Sequence, residues 1–96
     1  MYILITYDVD TVSEKGQKRL RQVARICKDY GQRVQNSVFE CELTEAQYVK
    51  LKGALSAVMD KSFDSIRFYH LSKNENRRVV TIGKETSYNV NDAIIL

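Results

Sequence analysis

Ninety-six residues make one domain with a single modest core, and 44% apolar with 28% charged residues is the composition of an ordinary soluble globular chain. No stretch reaches the length of a membrane span and no basic segment precedes the apolar amino-terminal run, so no signal peptide and a cytoplasmic protein are expected. The net charge of +3 is mild, but it is unevenly spread. Between Glu14 and Arg33, Lys15, Lys18, Arg19, Arg21, Arg25, Lys28 and Arg33 face only two acids, Glu14 and Asp29. A merely solvated helix usually mixes its signs, so this excess favours a polyanion as partner.

In chain order, residues 2–9 form an apolar strand that stops on Asp8 and Asp10. Residues 12–30 read as a helix, with Leu20, Val23, Ala24, Cys27 and Tyr30 at helical spacing and Gly31 as its stop. From Arg33 to Leu43 the pattern is strand-like but changes parity. Phe39, Cys41 and Leu43 share one face and Val34 the other, which predicts two short strands with a turn or bulge near Asn36–Ser37.

Thr44 and Gln47 form a capping-box signature opening a second helix to about Met59, with Tyr48, Leu51, Leu55, Val58 and Met59 inward. Ser65–Leu71 reads as a fourth strand. Ser72–Asn76 is polar, Arg78–Gly83 reads as a fifth strand, and the tail from Lys84 is poorly patterned. The sum is an α+β, ferredoxin-like β-α-β-β-α-β plan with a short extra carboxy-terminal strand: an antiparallel sheet with both helices on one face. The whole chain forms one domain, residues 1–71 being the core and 72–96 the extra strand and tail.

Strand parity separates the aspartates. Ile3, Ile5, Tyr7 and Val9 share the face best suited to lie beneath the helices, leaving Tyr2, Leu4, Thr6 and Asp8 on the open face. Bare apolar groups there suggest a partner surface, and a two-fold axis through it can set Asp8 of one copy opposite Asp8 of another. Asp8 and Asp10 within one chain chelate poorly. Residues two apart on a strand are roughly 6.5–7 Å apart, against Mg²⁺–oxygen distances of about 2.1 Å. Asp8 is therefore the expected metal carboxylate, shared across a dimer, and Asp10 a supporting ligand or a cap. The simplest alternative is that one of the two caps the first helix.

A strand-end carboxylate of this kind suits metal-assisted phosphodiester hydrolysis, with basic side chains holding the flanking phosphates. Other chemistries lack their residues. The single His70 lies within a strand, where histidine is more often structural than a general base. Cys27 and Cys41 sit at apolar-periodic positions without metal-ligand spacing and are expected to be reduced core cysteines. No serine or cysteine triad, phosphate-cradling glycine loop or zinc cluster is visible.

Tyr7-Asp8-Val9-Asp10 at the strand end, the basic helix, and Arg33-Val34-Gln35-Asn36-Ser37-Val38-Phe39-Glu40 together resemble the "Cas-two" family, the small CRISPR-associated adaptation nucleases. The second motif is much more specific than the aspartates, and the resemblance covers about the first seventy residues plus the short strand after them. It implies a ferredoxin-like homodimer with Asp8 from each chain around a divalent metal, Mg²⁺ with Mn²⁺ as substitute. It also implies endonuclease activity on duplex DNA or RNA, and a part in CRISPR spacer acquisition and antiviral defence beside the CRISPR integrase.

The expected catalytic residues are then Asp8 and Asp10. Lys15, Lys18, Arg19, Arg25 and Arg33 are expected to bind nucleic acid, with Gln35, Ser37 and Phe39 supporting the cleft or interface. Phe39 as packing, Ser37 as a turn residue and solvated Arg19 and Arg33 are the plainer readings. Two other functions fit the same pattern: a non-catalytic scaffold bridging duplex and integrase, and a ribonuclease toxin sharing this architecture. Duplex DNA is favoured because a two-fold dimer with a basic helix on each chain suits two-fold duplex.

Overall fold

A computed structural model describes residues 1–71 and 78–84. Its elements follow in the order β1 (Tyr2–Asp8), α1 (Glu14–Tyr30), β2 (Gln32–Gln35), β3 (Val38–Glu42), α2 (Glu45–Val58), β4 (Ser65–His70) and β5 (Arg78–Gly83). The strands form one antiparallel sheet in the order β2-β3-β1-β4-β5, the ferredoxin-like arrangement with β5 added beside β4. The polar segment after Leu71 and the tail beyond Lys84, both noted in the sequence, fall outside the described residues.

The central strand has the parity its sequence predicts. Ile3, Ile5, Tyr7 and Val9 are buried, and their register partners continue the same layer: Cys41 and His70 beside Ile3, Phe39 and Phe68 beside Ile5, Ile66 beside Tyr7. Both helices close this layer. Val23 and Cys27 of α1 and Tyr48, Leu51 and Leu55 of α2 are buried against it, with Leu20, Ala24, Tyr30 and Val58 half-buried at its margin. Side chains this enclosed each contribute roughly 1.5–3 kcal/mol by leaving water. On the opposite face Leu4, Thr6 and Val38 are half-buried, Ser65 and Tyr69 buried and Tyr2 exposed, and among the described residues no helix lies over this side.

Local signals set the element ends. Ser13, not either aspartate, caps α1 by accepting from the Gly16 amide. The helix accordingly starts at Glu14, later than the periodicity suggests. Thr44 and Gln47 make the reciprocal capping box at α2. Between β2 and β3 the parity change is resolved by both devices at once, a two-residue turn at Asn36–Ser37 and a register shift between Arg33 and Gln35. Neither turn residue takes a positive φ, so this is not the primed turn that regular two-residue hairpins favour. The bulge supplies the extra bend instead.

Gly16 has a steric reason to be glycine: a Cβ there would collide with the carbonyl oxygen of Asp10, which packs directly on the first turn of α1. Gly53, inside α2, has nothing within 4 Å of the same position. The two glycines therefore have opposite expected responses to alanine. Gly16→Ala is expected to destabilise by roughly 1–3 kcal/mol. Gly53→Ala is expected to stabilise by about 0.5–1 kcal/mol through helix propensity. Urea denaturation of the two variants checks the pair.

Candidate nucleic-acid site at the end of the central strand

Asp8 is the last residue of β1, pairs with Ser65 of β4, and lies exposed on the open face. Among the described residues, no hydrogen bond or ion pair engages its carboxylate. Asp10 is placed differently. Its Oδ1 accepts the Val12 amide at 3.0 Å, closing a tight turn, while its own amide donates to Oδ1 of Asp64 at 3.3 Å. Asp10 therefore shapes the loop between β1 and α1.

Asp64 is the residue that sequence reasoning missed. It is wholly buried, and its carboxylate takes four bonds: two from Arg19, at 2.7 Å from Nε and 3.3 Å from Nη2, one from the Asp10 amide, and one from the Asp60 amide at 2.9 Å. Burial pushes this carboxyl up, but the bond from Arg19 and those from the Asp60 and Asp10 amides outweigh it, so the group sits below the usual carboxylate range. The backbone of Asp64 is fixed as well: its amide donates to the Asp60 carbonyl and its carbonyl accepts from Lys84. Gly83, at a φ of 103°, passes so close that a Cβ would collide with that carbonyl. A lone aspartate just before a strand reads as a turn residue, and nothing in its neighbourhood signals a partner as distant as Arg19.

Arg19 is accordingly held by Asp64 in an ion pair, rather than standing as an open cation on the helix. Lys15, Lys18 and Arg25 are exposed on α1, in the helical layer and not on the open face that bears Asp8. Arg33 lies on the edge strand with its guanidinium 5.3 Å from the Phe39 ring and 3.5 Å from the Tyr7 hydroxyl, which itself donates to the Asn36 carbonyl. Phe39 is fully buried on the helical side and stacks on Tyr7 at 6.0 Å, so its place is in the core and not at a cleft. Its alternation with Cys41 and Leu43 already carried that signal. Ser37 is half-buried in the hairpin turn, where its carbonyl accepts the Tyr7 amide at 3.1 Å. Gln35 is exposed at the end of β2.

His70 is buried on the helical side and level with Ile3, far along the strand from Asp8. Its Nε2 lies 3.0 Å from the Tyr48 hydroxyl, an internal contact consistent with a structural histidine. Cys27 and Cys41 are free and buried, and burial pushes their thiols up to about 12 and about 11, far from thiolate chemistry at neutral pH. Among the described residues, no three of the His, Cys, Asp and Glu side chains group as metal ligands, and no helix is long and apolar enough to cross a membrane.

A sequence model of the family described as "CRISPR associated protein Cas2" matches residues 1–79. The chain belongs to that family. It is 51% identical to a CRISPR-associated endoribonuclease Cas2 of Rhodospirillum rubrum, covering 98% of this chain and 99% of the relative. It is 48% identical to a CRISPR-associated endonuclease Cas2 of Halalkalibacterium halodurans, covering 99% of each. The crystal structure of Streptococcus pyogenes Cas2 at pH 6.5 superposes with a TM-score of 0.72 at 58% identity, covering 77% of this chain and 89% of that one. The family assignment sets the chain with the CRISPR-associated proteins and apart from the toxins that share its architecture.

The Asp64 pair also predicts how the fold responds to acid. A carboxyl that titrates lower in the folded state than its unfolded value of about 3.9 stabilises the fold fully above that pH, and this contribution is lost as pH falls toward the folded-state value. Asp64→Asn is expected to be less stable than the wild type at pH 7 and to lose less on acidification. Denaturant midpoints measured from pH 7 down to pH 3 check both the offset and the difference in slope.

Proposed function

We propose that this chain is a metal-dependent endonuclease that acts as a homodimer, with Asp8 of each copy holding one divalent cation between them. The observation that carries the reading is the Asp8 carboxylate itself. It is exposed at the end of the most central strand and, among the described residues, unengaged, on a face over which no helix of the described residues lies. Mg²⁺ keeps several waters and takes one or two carboxylates from a protein, so two symmetry-related aspartates suit it where the described residues of one chain supply no cluster of ligands. Bound there, the cation supplies polarisation of a phosphoryl oxygen and a bound water of lowered pKa, and Mn²⁺ is expected to substitute for it. Asp10 supports by fixing the backbone just beyond Asp8.

Duplex DNA is the favoured substrate. Lys15, Lys18 and Arg25 repeat on each copy of a two-fold dimer, which suits the symmetry of duplex phosphates. The relatives leave the choice open, since closely similar ones bear the names endoribonuclease and endonuclease. The cellular role we propose is spacer acquisition beside the CRISPR integrase. There the same dimer can serve as the scaffold that bridges integrase and duplex, a role in which Asp8 is dispensable.

Cleavage of duplex DNA and of RNA is measured over a Mg²⁺ and Mn²⁺ series and in EDTA. The wild type is expected to need the metal, and Asp8→Ala to lose roughly 100-fold or more, as when several kcal/mol of charge stabilisation disappear. Full activity of Asp8→Ala, or activity in EDTA, would refute the catalytic reading. Spacer acquisition by Asp8→Ala cells then decides whether the scaffold alone suffices. On the oligomeric side, sedimentation is expected to give a dimer for the wild type. Leu4→Glu, which adds a charge to the open face, is expected to shift the protein to monomer and abolish cleavage with it.

A further inference from the structure

We propose that Asp64 is a positioning residue for the strand-end site, anchoring through Asp10 the backbone that presents Asp8, with Arg19 as its counter-charge. The inference rests on the metal-site reading above and extends it to residues that contact neither the metal nor the substrate.

The segment between Asp8 and the Ser13 cap contains no regular structure, and a carboxylate at its head would sample many directions if that segment were loose. It is instead gripped at Asp10 in three ways. The Asp10 amide is bound by Asp64, the Asp10 side chain turns back to the Val12 amide, and the Asp10 carbonyl lies on Gly16. Asp64 can act as the anchor because it is itself held by other elements: the Asp60 turn after α2, the start of β4 beside Ser65, and the Lys84 amide following β5. Ser65 is in turn the register partner of Asp8. One carboxylate thus ties the loop after Asp8 to the strand next to Asp8.

Stability alone does not call for this arrangement, because a buried ion pair is often replaced by apolar groups at no loss. A rigid support for a functional carboxylate does call for it. Arg19 takes a different place in this scheme from Lys15 and Lys18. Its Nε and Nη2 point at Asp64, so its effect on cleavage runs through the anchor rather than through phosphate contact.

The test reads two quantities in folded Asp64→Ala and Arg19→Gln: exchange of the Asp10 amide without metal or substrate, and the Mg²⁺ concentration giving half-maximal cleavage. In Asp64→Ala the Asp10 amide is expected to exchange at least roughly tenfold faster while the β1 amides keep their protection. Half-maximal Mg²⁺ is expected to rise by a similar factor, with the rate at saturating Mg²⁺ within about twofold of the wild type. Arg19→Gln is expected to shift both readings in the same direction and to leave the salt dependence of duplex binding unchanged, whereas Lys15→Gln lowers that slope by about one.

If Asp64→Ala does not fold, Asp64→Leu, which fills a similar volume and keeps no acceptor, is read in the same way. Unchanged Asp10 exchange in a folded variant overturns the anchor. Faster exchange with an unchanged Mg²⁺ requirement overturns its role toward the site and leaves Asp64 a structural residue only. Asp8→Ala run alongside separates the two ideas: full activity there removes the metal site itself, while the exchange measurement still decides whether the anchor exists.

Discussion

A carboxylate taken out of water has to be met by donors, and at the end of the sheet where β1 stops this requirement organises the surroundings. Asp64 is met by a guanidinium from α1, an amide from the loop after β1 and an amide from the turn after α2. Its backbone carbonyl binds the residue that follows β5. Burial alone would favour the neutral acid, yet the donors win and the group remains a carboxylate across the neutral range. The loop after β1, the helix α1, the turn after α2 and the end of β5 are thereby tied to one point. Asp8 owes its rigid setting to that point as much as to its own strand.

The sheet divides the molecule's work by parity. On the helical side every group has a structural occupation: Phe39 stacks on Tyr7, His70 meets Tyr48, and both cysteines are packed away from solvent. On the open side burial is mixed, from buried Ser65 and Tyr69 to exposed Tyr2, and there Asp8 stands exposed. Since side chains alternate along a strand, Tyr7 and Asp8 are adjacent in sequence yet belong to separate environments. The first locks the hairpin through Asn36, and the second carries a carboxylate that is exposed and, among the described residues, unengaged.

Most of this fold was legible because it rests on local patterns. Alternation along Ile3, Ile5 and Tyr7, helical spacing along Val23 and Cys27, and the Thr44–Gln47 box each need only a few neighbouring residues. The parity change before Phe39 even located the hairpin. The setting of Asp8 was only half legible, because its support is a long-range contact. Arg19 and Asp64 are 45 positions apart, and an ion pair between them leaves no periodicity to read. On sequence alone Arg19 merges into a basic stripe, and Asp64 into a turn. Phe39 shows the opposite error. Its motif invited a functional placement, while its alternation with Cys41 already pointed inward.

β2 has a consequence beyond its part in the hairpin. It is four residues long, exposed throughout, and broken by a bulge before its end. A strand so short and bent offers a poor template for another strand, which is how soluble proteins keep their sheet borders from recruiting neighbours. Growth of the sheet is discouraged along this border. Pairs stacked face to face close on themselves, whereas ladders built border to border need not end. The crooked little strand thus guards one border of the sheet against open-ended addition of strands.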